Sequence, residues 1–173
     1  MSQERSGVIT FKGGPLTLIG PALKTGDAAP NFSVVDGGLA EVTLKSSAGK
    51  TRLISVVPSL DTPVCDEQTR KFNEKAAALP GNVALLTLSV DLPFAQKRFC
   101  STAKIDKIQV LSDYKARDFG VKYGVLIKEL QLLARAIFVV GADDKVKYVE
   151  IVKEVTSHPD YEKALNAAKT AAG

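Results

Sequence analysis

Leu53-Ile54-Ser55-Val56-Val57-Pro58-Ser59-Leu60-Asp61-Thr62-Pro63-Val64-Cys65 is the stretch whose reading decides the fold. Residues 53–57 are a nearly unbroken apolar and β-branched run, which suits a strand covered on both faces. Pro58 ends it. Thr62 is a good N-cap type, its hydroxyl able to accept from first-turn amides. Pro63 then falls at the first helical position, where its missing N–H is no loss. A buried strand leading into a helix predicts a unit of a parallel sheet. Cys65 becomes the third residue of that helix, among unpaired backbone N–H groups at the positive end of the dipole. Such a position favours thiolate, the nucleophilic form, over thiol.

Outward from this unit the pattern repeats. Toward the N-terminus, Val8–Phe11 and Leu16–Ile19 flank a Gly13-Gly14 turn and predict a hairpin. Two short extended pieces follow, at 32–35 and 42–44. Downstream, the helix from Pro63 carries Val64, Phe72, Ala76 and Leu79 at helical spacing until Pro80-Gly81 stops it. Val83–Val90 is the next strand, and Asp91 with Pro93 predicts the cap and first turn of a helix to about Ala103. Ile108–Leu111 is a third parallel strand, and 116–120 a helical turn. Ala136–Val140 and Val146–Val152 flank Asp143-Asp144 as an antiparallel hairpin. Pro159 opens a last amphipathic helix with Tyr161, Leu165 and Ala168 inward. The order β-α-β-α-β then ββα predicts an α/β protein of thioredoxin-like fold: a mixed central sheet, helices on both faces and an N-terminal β-hairpin extension. Cys65 belongs on the rim at the C-terminal ends of the parallel strands.

The chain has 173 residues, the size of one domain, so 1–173 is read as a single unit. At 45% hydrophobic and 24% charged, it has the make-up of an ordinary soluble protein. A net charge of +4 is spread along the chain, with no basic stripe or aromatic platform, so no nucleic-acid partner is expected. There is no apolar run long enough for a bilayer and no apolar signal core at the start, so no membrane association and a cytoplasmic location are expected. Two cysteines and one histidine make neither a disulfide scaffold nor a zinc site. No metal and no cofactor are predicted.

A free cysteine is usually a small buried hydrophobe. The polar neighbours Asp61, Asp66 and Glu67 argue for a different role at Cys65. Asp66 and Glu67 also oppose a negative sulfur, so a cation must come from elsewhere. Arg135, set between Leu132-Leu133-Ala134 and Ala136-Ile137-Phe138, is a charge in an apolar context and therefore in need of a partner. If its strand runs antiparallel to 53–57, it starts near Cys65; otherwise it snorkels to water. Arg52, at the far end of its strand from Pro58, is expected at the surface. Cys100 is either an inert thiol on an amphipathic helix, with Phe99 in the core, or a redox partner. His158 is a loop residue without chemistry.

Several linked stretches then resemble one family. Pro58, Thr62 and Cys65 match the peroxiredoxin pattern of Pro, three residues, Thr, two residues, Cys. Together with Phe72-Asn73, Asp91-Leu92-Pro93-Phe94-Ala95-Gln96, Arg98-Phe99-Cys100 and Ala134-Arg135-Ala136, they resemble the bacterial thiol peroxidases, the atypical 2-Cys branch of the peroxiredoxins. The likeness runs from the hairpin to Tyr161. It implies a peroxidatic Cys65 that becomes a sulfenic acid, a resolving Cys100 that closes an intramolecular disulfide, and thioredoxin as its reductant. It further implies that Thr62 hydrogen-bonds sulfur and peroxide, that Pro58 shields the site from water, and that Arg135 is the catalytic cation. The substrates implied are hydrogen peroxide and organic hydroperoxides, and the assembly a homodimer. Two departures stand near loops expected close to the site: Lys128-Glu129-Leu130-Gln131 in place of a Gly-Pro-Leu-like turn, and Gly141 in place of an acidic residue. A peroxide sensor with a protein partner has the same sequence. A general thiol–disulfide oxidoreductase is less suited, because Val64-Cys65-Asp66-Glu67-Gln68 lacks the Cys-x-x-Cys arrangement.

Overall fold

The computed structural model describes residues 2–173; Met1, with which the expected single unit 1–173 begins, lies outside the described residues. In chain order the elements are β1 (Glu4–Phe11), β2 (Gly14–Ile19), β3 (Ser33–Val35), β4 (Glu41–Thr43), β5 (Thr51–Val56), α1 (Pro63–Lys75), β6 (Val83–Ser89), α2 (Pro93–Ala103), β7 (Gln109–Ser112), α3 (Asp118–Lys122), β8 (Leu126–Ile127), β9 (Ala136–Val140), β10 (Val146–Ile151) and α4 (Tyr161–Ala172). The expected elements are all present. Beyond them the described residues add β8, two residues long and without a pattern of its own, and a 3-10 turn at Leu44–Ser47.

Seven strands form a mixed sheet in the order β10-β9-β5-β6-β7-β3-β4. β5, β6 and β7 are parallel, and β9 runs antiparallel to β5 with Val56 opposite Ala136. The alternation of β5 divides the core. Ile54 and Val56 face a cluster with Phe119, Tyr123 and Phe138, whereas Leu53 faces Phe72, Ile137, Val139 and Ala164. α1 and α4 therefore cover one face, and α3 with the hairpin covers the other, as a thioredoxin-like mixed sheet requires. The hairpin does not extend the central sheet: β1, β2 and β8 make a separate three-stranded sheet. It approaches α3 closely at Gly20 and Gly124, both at positive φ, where a Cβ would overlap the Val121 and Pro21 carbonyls. Glu154 ties the loop after β10 to the same hairpin, accepting from the Thr10 hydroxyl and the Gly13 N–H.

Three local expectations are corrected. α1 ends at Lys75 and passes through a 3-10 turn, Ala76–Ala78, before Pro80. α4 begins at Tyr161, two residues after Pro159, because Asp160 accepts from the Lys163 N–H at 3.0 Å and caps it. Arg52 is not at the surface but fully buried. Its guanidinium donates to the Gly141 and Leu44 carbonyls at 2.8 and 3.1 Å and to the Ser47 hydroxyl, and it pairs with Asp144. The turns preceding β5 and following β9 fold over this end of the sheet, and Arg52 supplies the donors their carbonyls need.

Candidate active site

β5 ends at Val56, and the chain reaches α1 through a loop in which Pro58 and Leu60 are buried. Thr62 is the N-cap residue and Pro63 the first helical residue, as the sequence predicts. Thr62 does not cap with its side chain, however; its hydroxyl donates back to the Ser59 carbonyl at 2.8 Å. The first intrahelical bond runs from Asp66 N–H to the Thr62 carbonyl. Val64 and Cys65, ahead of that bond, have no carbonyl one turn back for their N–H groups, and the Thr62 hydroxyl does not take them. They remain donors at the positive end of a 13-residue helix.

Cys65 is a free thiol, fully buried. It packs with Val57 and Leu60, and the half-buried Phe99 and Val110 close over that cluster. Gln68 and Thr69, one turn along on the same inward side of α1, are buried too. Arg135 is 2% exposed. Its Nε donates to the Val155 carbonyl at 2.8 Å and one terminal nitrogen to Gln68 Oε1 at 3.0 Å. Gln68 Nε2 in turn donates to the Ser55 hydroxyl at 2.8 Å. The antiparallel pairing of β9 with β5 thus delivers Arg135 to the end of β5, and Gln68 places its charge beside the first turns of α1. Arg135 does not snorkel to water: the sheet and α1 cover it, and the Val155 carbonyl and Gln68 side chain satisfy it instead.

The Tyr161 hydroxyl senses the same region. Burial, then the charges of Glu67 and Cys65, push it up to about 12 against the opposing pull of Arg135. His158 stands in the loop before α4, with Nδ1 2.8 Å from that hydroxyl and Nε2 3.4 Å from the Glu67 carboxylate.

Pro58, Thr62 and Arg135 converge on one cleft of about 390 Å³, whose remaining wall is mostly apolar, with Phe11, Val64 and Leu130 prominent. Cys65 does not line it but follows directly on Pro63 and Val64, which do. Cys100 is not at this cleft. It is a half-buried free thiol on α2, its thiol pushed up by burial, and it faces a separate cleft with Lys97, Ile108 and Gln109. Phe99, its neighbour, is the α2 residue that packs toward Cys65. Of the two departures, Leu130 reaches the cleft wall. Gly141 does not; it sits at the opposite end of β9, on Arg52.

Sequence reasoning missed two anchors. Gln68 was legible only as a polar residue in the inward stripe of α1. The sequence makes Asp91 a helix cap, but Leu92 holds that position, and the Asp91 carboxylate accepts instead from the Leu60 N–H and the Ser59 and Ser89 hydroxyls.

Chemically, the site combines a thiol, first-turn N–H donors and a buried guanidinium, with the Thr62 hydroxyl oxygen beside them as an acceptor, its proton being on the Ser59 carbonyl. That set suits attack by sulfur on an O–O bond, in which negative charge develops on the departing oxygen. Among the described residues no group of three His, Cys, Asp or Glu side chains is placed to hold a metal ion, and no helix is long and apolar enough to cross a membrane.

Residues 24–165 match the Redoxin family. The chain is 63% identical to a thiol peroxidase of Halalkalibacterium halodurans over 163 residues, 94% of this chain and 98% of that one. It is 55% identical to a thiol peroxidase of Bacillus subtilis, across 93% and 96% of the two chains. Among solved structures, a peroxiredoxin-like protein from Aquifex aeolicus superposes with a TM-score of 0.90 at 43% identity, covering 98% of each chain.

Proposed function

The chain belongs to the Redoxin family and, within it, to the bacterial thiol peroxidases, and from that premise we propose how its residues divide the work. It is a peroxiredoxin-type enzyme that reduces hydroperoxides at the expense of a thiol reductant. In our reading Cys65 is the peroxidatic sulfur. Its thiolate attacks the terminal oxygen of a hydroperoxide, an S–O bond forms, the O–O bond breaks, and the departing alkoxide or hydroxide takes a proton. Sulfur loses two electrons and becomes a sulfenic acid. The Cys100 thiol then displaces that hydroxyl as water and closes a Cys65–Cys100 disulfide. A dithiol protein of the thioredoxin type reduces it, ending as a disulfide itself.

Arg135 and the Val64 and Cys65 N–H groups stabilise the departing oxygen, Thr62 orients the peroxide, and the buried Pro58 keeps water from the sulfur. The observation that carries this reading is the convergence of Pro58, Thr62 and Arg135 on one cleft beside the turn bearing Cys65. The apolar cleft wall supports organic hydroperoxides as substrates alongside hydrogen peroxide. The exposed Leu92 and Phe94 support a homodimer. Two cysteines, too few for a disulfide scaffold in a chain of 173 residues, support a reducing, cytoplasmic setting, and the clusters shared between hairpin and sheet support one domain over 1–173.

A coupled assay with thioredoxin, its reductase and NADPH tests this proposal. Cys65→Ser abolishes peroxide-dependent NADPH oxidation. Cys100→Ser consumes one equivalent of peroxide and stops. Full turnover in Cys65→Ser contradicts the proposal, and sustained turnover in Cys100→Ser removes the resolving role.

A further inference from the structure

Asp91 joins the loop before Cys65 to the root of the helix that carries Cys100. Its carboxylate accepts from the Ser59 hydroxyl at 2.7 Å on one oxygen. On the other it accepts from the Leu60 N–H at 2.8 Å and the Ser89 hydroxyl at 2.6 Å. Its carbonyl accepts from the Ser112 hydroxyl at 2.5 Å. Ser89 Oγ also receives Gln96 Nε2 at 3.0 Å, and the same nitrogen donates to the Leu111 carbonyl at 2.8 Å. The loop before Cys65, the ends of β6 and β7 and the first turn of α2 are thereby one hydrogen-bonded body. A bond to an ionised acceptor is about twice as strong as a neutral one, so the carboxylate is the strongest part of this junction.

α2 is held unevenly. Its buried residues are Pro93 and Gln96, both near the root that Asp91 secures. The far end buries no side chain completely and stops at Lys104, a non-glycine residue in the left-handed region at φ 56. That loosely held half carries Phe99, packed toward Cys65, and Cys100, turned to a different cleft. A disulfide needs the two sulfurs at about 2.05 Å. Cys100 must therefore turn from its own cleft toward Cys65, where Leu60 and Phe99 now pack.

We propose that Asp91 is a positioning residue whose carboxylate fastens the loop over Cys65 to the root of α2, favouring attack on peroxide and slowing closure of the Cys65–Cys100 disulfide. The inference rests on the roles of Cys65 and Cys100 proposed above. Asp91→Asn tests it, because an amide replaces one of the two accepting oxygens with a donor facing the hydroxyl or N–H donors already there.

The measurement is a single turnover with hydrogen peroxide, acid-quenched and alkylated, in which mass spectrometry counts thiol, dimedone-trapped sulfenic acid and disulfide over time. Asp91→Asn is expected to slow loss of the Cys65 thiol about tenfold and to speed sulfenic acid to disulfide about tenfold, each equivalent to about 1.4 kcal/mol. The peroxide dose that over-oxidises Cys65 rises with it. Ser59→Ala, which removes one tie and leaves the carboxylate, is expected to shift both steps in the same directions by less, and it decides the matter if Asp91→Asn does not fold. A fall in both rates, or no change in either, overturns the proposal. Failure of the wild-type protein to form the Cys65–Cys100 disulfide refutes instead the reading on which the proposal rests.

Discussion

Replacing Gln68 by alanine removes two partners from a fully buried chain: the acceptor for Arg135 at 3.0 Å and the donor to Ser55 at 2.8 Å. A hydrogen bond to a charged group contributes about 1.5–3 kcal/mol and a neutral one about 0.5–1.5 kcal/mol. With Arg135 2% exposed, water does not readily replace the lost acceptor. The expected loss of stability is therefore about 2–4.5 kcal/mol, which lowers Tm by roughly 5–15 °C in a chain of this size. The chemistry suffers separately. Arg135 keeps the Val155 carbonyl but loses the partner that turns it toward α1. Loss of a whole transition-state donor costs about 10²–10³ in rate, so a displaced donor is expected to cost roughly tenfold in oxidation of Cys65. Urea unfolding followed by circular dichroism gives the first quantity, and rapid-quench oxidation by peroxide gives the second. Gln68→Glu, which retains an acceptor for Arg135, is expected to recover most of the rate. Stability within about 0.5 kcal/mol of wild type, together with an unchanged rate, refutes the role assigned to the Ser55–Gln68–Arg135 chain.

Other outcomes follow from the same structure. Arg52→Met removes the donors from the Gly141 and Leu44 carbonyls at the far end of the sheet; it is expected to cost about 2–4 kcal/mol in urea unfolding and to leave the rate of Cys65 oxidation unchanged. Asp113 is buried at the start of α3, and burial pushes its carboxyl up from 3.8 to about 6, outweighing the N–H groups of Phe119 and Gly120 that it accepts. A raised carboxyl is stabilising when protonated, so its contribution is complete below about pH 4 and disappears as the pH rises through about 6. It amounts to at most about 3 kcal/mol. Asp113→Asn is expected to flatten unfolding free energy across that window, and an unchanged slope counts against the shift.

Much of this molecule is legible in its sequence because its strong signals are local. The 53–57 run, the stop at Pro58 and the Asp143-Asp144 turn each mark a boundary through the backbone they permit. Cys65 is placed by counting from Pro63, and Arg135 by one antiparallel pairing. The features that escaped depend on what lies across space. Arg52 reads as a surface residue because the two turns that cover it come from positions 44–47 and 141–144. Asp91 looks like a cap because helix patterning cannot show that the Ser59–Leu60 loop needs an acceptor there. Gly141 follows β9 in sequence but sits a full strand away from Arg135, so proximity in the chain misplaces it. β8 exists only because Leu126 and Ile127 meet β2, and two residues carry no periodicity to read.

In the proposed cycle Cys65 and Cys100 form one redox couple. Its most direct test is peptide mapping of the protein after one equivalent of peroxide, with free thiols blocked before digestion. The predicted result is a single cross-linked peptide pair containing Cys65 and Cys100, lighter than the two thiol peptides by two hydrogens and absent from Cys65→Ser. Oxidation of Cys100 in Cys65→Ser at the wild-type rate, or a Cys65 that stays a free thiol in the wild-type protein, contradicts it.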